Sequence, residues 1–334
     1  MIPPDADDTA EDARFSAAFR SECGAAPVPF ARFMELALYH PQLGYYRRPR
    51  PRVGLATDTD FYTATSTGEV FGELVAAAAT KLLGAEAADH DFVELGSENG
   101  RTALDGVAHP FRSVRAVGCT DAAALGGPCV VFSNELFDAQ PFHRVVRSHD
   151  GWREIGVTLA DDTLVEAELA TLSPEVATVV PLLPTDLPAG YRMDLPLAAA
   201  ALCRQLVAAA WTGLFLAFDY GKTWSALATD TPTGTARAYH AHRQERDLLK
   251  RPGRQDLTCH ICWDWLESAL RAGDFGSLVL ESQESFLVRH AGAAAARIAA
   301  EAKPGRPDPR RSRLHELLHP GLLGQRFQVL HARR

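Results

Sequence analysis

Two short stretches carry the residue types and spacings that can do chemistry. The first is Ser133-Asn134-Glu135-Leu136-Phe137-Asp138-Ala139-Gln140-Pro141. It leaves an apolar run, 129–133, that reads as a buried strand, and open α/β sheets place their ligands at the carboxyl ends of such strands. Asn134 as a helix cap with two solvated acids is the bland account. Three polar groups leaving a core strand toward a proline fit a ligand site better. The second stretch is the strand-like Asp91–Leu95 running into Gly96-Ser97-Glu98-Asn99-Gly100. Glycines let a backbone turn tightly under a ligand, and a following helix, expected from Arg101 to Val107, offers free amides at its N-terminus. That is nucleotide-site geometry, although a lone pair of glycines is also an ordinary turn. Asp219-Tyr220-Gly221 ends a third apolar run, 214–218, in the same way.

Other motifs carry less. His315-Glu316-Leu317-Leu318-His319 spells the metalloprotease pattern, but Pro320 stops its helix and no properly spaced third ligand follows. Cys259 and Cys262 form a C-x-x-C without a second pair, so two half-buried thiols are expected and no metal site. The run Arg47, Arg48, Arg50, Arg52 is read as a solvated loop, or as a guide for an acidic partner or ligand.

The elements that must position these groups alternate in type. Helical spacing marks 12–40, 67–83, about 195–211, 261–272 and about 291–302; strands are expected at 91–95, 113–118, 129–133, 214–218, 277–282 and 325–330. The stretches 144–147, 152–159 and 164–169 form an antiparallel meander with turns at Asp150-Gly151 and Asp161-Asp162. Residues 1–11 read as an acidic mobile tail, 12–90 as an N-terminal helical segment covering the cleft, and 91–334 as an α/β core. That core carries an inserted lobe at about 144–195 and an irregular stretch at about 221–260. The pattern implies an open, mostly parallel sheet.

With 334 residues, 46% of them hydrophobic and 23% charged, the chain is an ordinary globular one. Its net charge of −8 argues against a nucleic-acid partner, which would call for a basic face. No segment reads as a membrane span, and the acidic N-terminus fits neither signal nor transit peptide, so a cytoplasmic location is expected. Six scattered cysteines do not suggest a disulfide framework.

Seven co-linear blocks resemble a known family. They are FMELALYHPQLGYYRR (33–48), DFYTATSTGEVFGELVA (60–76), FVELGSENG (92–100), SNELFDAQPFHRVV (133–146), GLFLAFDYG (213–221), the stretch from ARAYHAHR to PGRQDLTCHICWDWL (236–266) and ELLHPGLLGQRFQVL (316–330). The sequence is similar to the MidA-like, S-adenosylmethionine (SAM)-dependent methyltransferases, a family that includes an arginine-methylating assembly factor of mitochondrial complex I. The resemblance implies a class I, Rossmann-like methyltransferase sheet. It implies SAM as cofactor, an acceptor protein as partner, and methylation of an arginine-type nitrogen. It makes Glu94, Gly96 and Gly100 the SAM loop and puts Asn134, Glu135 and Asp138 in the family's N-E-F-F-D-A-L-P motif. Asp60 to Thr63, with Thr63 among the cofactor residues, would line the cleft.

The sequence departs from the family pattern twice. The loop usually reads close to E-L-G-P-G-R-G, and Glu98 here places a carboxylate where SAM brings its own. Gly100 and Asn134 are only 34 positions apart, fewer than the family places there for a strand ending in a ribose-binding acid. Asp121 is the one nearby acid to substitute. An arginine acceptor stays protonated in water, so a carboxylate must orient it, with Glu135 the first candidate and Asp138 the second. The alternative is a family member that has lost SAM and serves as a non-catalytic protein-binding or assembly module.

Overall fold

A computed structural model describes residues 6–48, 52, 60, 64–97, 100–119, 121–301 and 307–334. Its longer helices are α1 (Ala6–Cys23), α2 (Phe30–Tyr39), α3 (Glu69–Leu83), α4 (Leu197–Ala208), α5 (Trp263–Ala272), α6 (Gln283–Glu301) and α7 (Pro309–Leu318). The strands used below are β1 (Asp91–Leu95), β2 (Ser113–Val117), β3 (Gly127–Asn134), β4 (His143–Ser148), β5 (Gly151–Ala160), β6 (Thr163–Glu168), β7 (Arg192–Leu195), β8 (Trp211–Asp219), β9 (Arg237–His240), β10 (Arg243–Glu245), β11 (Asp256–Thr258), β12 (Gly276–Ser282) and β13 (Gln328–Arg333).

The chain forms two compact units, each built from three segments. One takes Met1–Tyr62, Asp138–Ala199 and Lys222–Cys262; the other takes Thr63–Phe137, Ala200–Gly221 and Trp263–Arg334. Residues 63–90, expected with the N-terminal helices, thus belong with the large sheet. The apolar stripe of α3 explains this, since Phe71 packs its ring against Phe132 of β3 and Phe218 of β8.

In the second unit the sheet order is β12-β13-β8-β3-β1-β2. β2, β1, β3 and β8 pair in parallel, whereas β13 runs antiparallel to both β8 and β12. β8 is buried at every position except Thr212, as strands covered on both faces are.

The first unit holds an antiparallel sheet in which β5 pairs with β4 and β6, and β4 with β7. The Asp161-Asp162 turn has φ of 45° and 66°, the left-handed pair that joins twisted hairpin strands. Phe15, Phe19, Phe30, Phe33 and Phe142 form the core of this unit. The six-stranded sheet is therefore mixed, with β13 antiparallel to both its neighbours where a mostly parallel sheet was expected, and the expected antiparallel meander is β4–β6.

Four further expectations are corrected. Residues 6–11 are helical, within α1, rather than a tail. The stretch 221–260 is not irregular throughout, because β9 pairs with β10 and β11. The segment 304–313 reads as a loop from its prolines, yet residues 309–313 begin α7, capped by Asp308, whose carboxylate accepts from the Arg310 and Arg311 amides. Arg52 is no solvated loop residue: it is 5% exposed, lies over the Tyr45 and Tyr46 rings, and donates to the Tyr45 and Arg48 carbonyls. Arg48 pairs with Glu11 at 2.8 Å, and Arg50 lies outside the described residues.

Candidate functional site

Gly96 follows β1 at φ +70°, and its amide donates to the Val117 carbonyl of β2. A Cβ there would come within 2.6 Å of the end of the Leu136 side chain, and the left-handed φ is what calls for glycine. Gly100 also has φ +70°, with open space where a Cβ would stand. Glu98 and Asn99 lie outside the described residues.

The helix expected from Arg101 to Val107 is absent, and turns take its place. Thr102 Oγ1 donates to Asp105 Oδ1 at 2.7 Å, competing with helical bonding, and Gly106 sits at φ +79°. Among the described residues, 101–107 therefore present no helix N-terminus to this loop. The Ala103 amide instead donates to Glu94 Oε2 at 2.6 Å. Glu94 is 5% exposed, and burial pushes its carboxyl up to about 7. The sequence assigns Glu94 to the cofactor; the structure uses this oxygen to close the loop.

That burial predicts a pH effect. Glu94 binds a proton in the folded chain at a pH where the unfolded chain has released it, so stability falls as pH rises from about 4.5 through about 7. Glu94→Gln keeps an acceptor for Ala103 without the buried charge. It is expected to stabilise the protein at pH 8, by roughly 1–3 kcal/mol, and to flatten the pH 5–7 slope of urea midpoints. A variant less stable than wild type at pH 8 would refute this.

At the exit of β3, the Glu135 amide donates to the Phe218 carbonyl, extending the pairing with β8 by one residue. Glu135 has φ +50°, a backbone region costly for a residue with a side chain and recurrent at functional sites. Asn134 Nδ2 donates to Glu135 Oε1 at 3.1 Å, while Asn134 Oδ1 is buried without a hydrogen bond. Asp219, fully buried, accepts from the Phe137 amide and from the Tyr220 amide, both at 2.9 Å. It is thus a positioning residue for the Asn134–Phe137 loop. Asp121 is exposed beyond the end of β2, with its Oδ2 filling the space beside Gly118.

Asp138 opens a segment of the first unit. It is 2% exposed, and its carbonyl accepts from the Cys259 amide. Burial, then Asp256, the neighbouring tyrosines Tyr39 and Tyr45, and Asp138 hold the Tyr46 phenol well above its usual range. Its hydroxyl donates to Asp256 at 2.9 Å.

Asp60 is 1% exposed and already engaged, accepting from Tyr45 Oη at 2.8 Å and from the Ala241 amide at 2.9 Å. It thereby ties separate segments of its unit together. Thr63 lies outside the described residues. Tyr45, Tyr46 and Asp256 were not singled out in the sequence, where a repeated tyrosine is the only signal.

In the metalloprotease-like pattern the His315 and His319 rings lie 4.7 Å apart, centroid to centroid. His319 leaves α7 as its C-cap at φ −71°, ψ 126°, and accepts from the Gly321 amide. Cys259 and Cys262 are buried, and none of the six cysteines is in a disulfide. Among the described residues no helix is long and apolar enough to cross a membrane.

Comparison with known proteins adds likenesses to methyltransferases. The family model described as "Putative S-adenosyl-L-methionine-dependent methyltransferase" matches residues 113–278. The chain is similar to the mitochondrial protein arginine methyltransferase NDUFAF7 of Danio rerio, 23% identical over 382 residues, covering 90% of this chain and 82% of that one. The homologous protein of Drosophila melanogaster is 24% identical, over 91% and 81% of the two chains. The Xenopus tropicalis protein is 28% identical, but that match spans 40% of this chain and 30% of the other. A COG1565-superfamily structure from Burkholderia thailandensis, bound to S-adenosyl-homocysteine, superposes with a TM-score of 0.84 at 26% identity. It covers 100% of this chain and 95% of that one.

Proposed function

From kinship with the MidA-like, SAM-dependent methyltransferases, we propose that this chain binds SAM at the carboxyl ends of β1 and β3 and methylates a nitrogen of an acceptor protein, of the arginine type. The observation that carries the reading is the buried Asn134 Oδ1 without a hydrogen bond, next to Glu135 in left-handed backbone at the end of a central parallel strand. A buried orphan acceptor is costly unless a ligand donor meets it. Gly96, Gly100 and Asn134 would hold the cofactor, with Asp121 offered to its ribose. Thr63 keeps its assignment from the family pattern alone.

Bound SAM would supply an electrophilic methyl on a sulfonium. The chain's residues would orient the acceptor: Glu135 first, Asp138 second, holding a guanidinium by charge-assisted hydrogen bonds. Nucleic acid has no place in this reading, and a cytoplasmic location remains part of it.

One observation favours the alternative, a fold kept as a protein-binding module. Among the described residues, 101–107 after this loop form turns rather than a helix, and Glu94 Oε2 accepts from the Ala103 amide. A thermal-shift titration with SAM and S-adenosylhomocysteine, backed by calorimetry, decides. Binding to the folded state alone raises stability by about 2.7 kcal/mol at a hundredfold excess over Kd. A saturable upward shift with both ligands is expected. No shift at millimolar ligand would overturn the enzyme reading and leave the module.

A further inference from the structure

Away from the strand ends, three side chains of the second unit converge on one another. Glu281 is on β12, His331 on β13 and His290 on α6. Their ligand atoms all lie within 4.8 Å of one another. Glu281 Oε1 is 3.3 Å from His290 Nε2 and 3.5 Å from His331 Nε2. All three atoms are buried, and none makes a hydrogen bond. Three inward-facing polar atoms left without hydrogen bonds are expensive in a protein interior, and a shared cation would satisfy all of them at once.

We propose that Glu281, His290 and His331 form a site for a divalent transition-metal ion of the zinc class. The two separations from Glu281 Oε1 are near those between ligands of a four-coordinate ion. Ligands about 2.0–2.1 Å from zinc at tetrahedral angles are roughly 3.3–3.4 Å apart, whereas octahedral neighbours would stand closer, near 3.0 Å. Two imidazoles and one carboxylate suit zinc and exclude calcium or magnesium, which take oxygen.

The second oxygen of the carboxylate is already held. Ser285 Oγ donates to Glu281 Oε2 at 2.7 Å and Arg289 lies 3.5 Å from it, leaving Oε1 to point at the histidines. Such outer partners fix a metal ligand's orientation. His290 and His331 also pack edge to face, with centroids 5.3 Å apart, and Phe286 covers both. The ion would pin α6 to β12 and β13, and a water would complete its shell.

Cobalt(II) tests this directly, because tetrahedral cobalt absorbs strongly in the visible. Titrating the full chain with Co2+ is expected to give those bands at one equivalent, without the near-ultraviolet thiolate band that cysteine ligands would add. Zn2+ should displace the signal and raise the melting temperature. His290→Ala, a partly exposed helix position, should fold and bind Co2+ at least tenfold more weakly. Glu281→Gln should do the same, while His315→Ala with His319→Ala should bind as wild type does. No visible bands in the folded wild type, or bands retained in His290→Ala, would overturn the site.

Discussion

Glu135→Gln should abolish methyl transfer, lowering the rate by about 10²–10³-fold, while SAM affinity stays within about twofold of wild type. Glutamine has the same shape, keeps an oxygen to accept from Asn134 Nδ2, and leaves the Glu135 amide free to continue the pairing with Phe218. The variant thus removes charge and little else. A guanidinium carries its charge at every working pH, so a neutral amide can neither compensate that charge nor orient the nitrogen as strongly. Transfer of labelled methyl from SAM into the protein fraction of an extract reads the rate, and calorimetry reads the affinity. Weakened SAM binding in this variant would move Glu135 from acceptor to cofactor. Full activity would remove it from the chemistry.

The largest loss of stability is expected at Asp194. Its side chain is fully buried and accepts from Arg144 Nε at 2.9 Å, the Thr235 amide at 2.5 Å and the Ala236 amide at 2.7 Å. Gly234, at φ +80°, lets the backbone come so close that a Cβ would stand 2.3 Å from Asp194 Oδ2. Arg144 is itself buried against the Phe30 ring and continues the network to Glu166, which also takes Arg192. Asp194→Ala strands two amides and leaves Arg144 with Glu166 alone. The expected cost is about 4 kcal/mol, out of a total that is typically 5–15. Asp194→Asn, which keeps the volume and one acceptor, should lose about half of that. Urea unfolding followed by tryptophan fluorescence measures both, with Arg20→Ala as control. Arg20 pairs with Asp162 at the surface, where both side chains are more than half exposed and the pair contributes little. An Asp194→Ala loss below about 1 kcal/mol would refute the account.

The parts of this architecture that follow from local pattern were legible in the sequence. β1 is found where the apolar run placed it, and the meander turns at Asp150-Gly151 and Asp161-Asp162 are where turn chemistry put them. Asn134 and Glu135 do leave a buried parallel strand. What failed was set by distant partners. The stretch after Gly100 has the composition to start a helix, but Glu94 draws the Ala103 amide inward, and the Ala103 carbonyl lies so close to Gly72 of α3 that a Cβ there would meet it at 2.0 Å. The arginine run looked solvated because nothing local shows that Tyr45 and Tyr46 lie under Arg52. Glu281, His290 and His331 are separated by chain lengths that no motif spans, so only the pairing of β12 with β13 brings the first and last together.

The position of β13 has a consequence for how the protein is made. Its six residues lie between β8 and β12, covering the edge of β8 that β3 leaves open and joining β12 to the sheet. Arg334 then fastens the segment by donating to the carbonyls of Val207, Ala209, Trp211 and Gly273. A nascent chain that has emerged only as far as α7 therefore displays two bare edges, one of them the apolar β8. Such edges are templates for pairing with other chains. The newborn protein is most open to aggregation during that interval, and a proteolytic nick just ahead of Gln328 would return a finished molecule to the same exposed state.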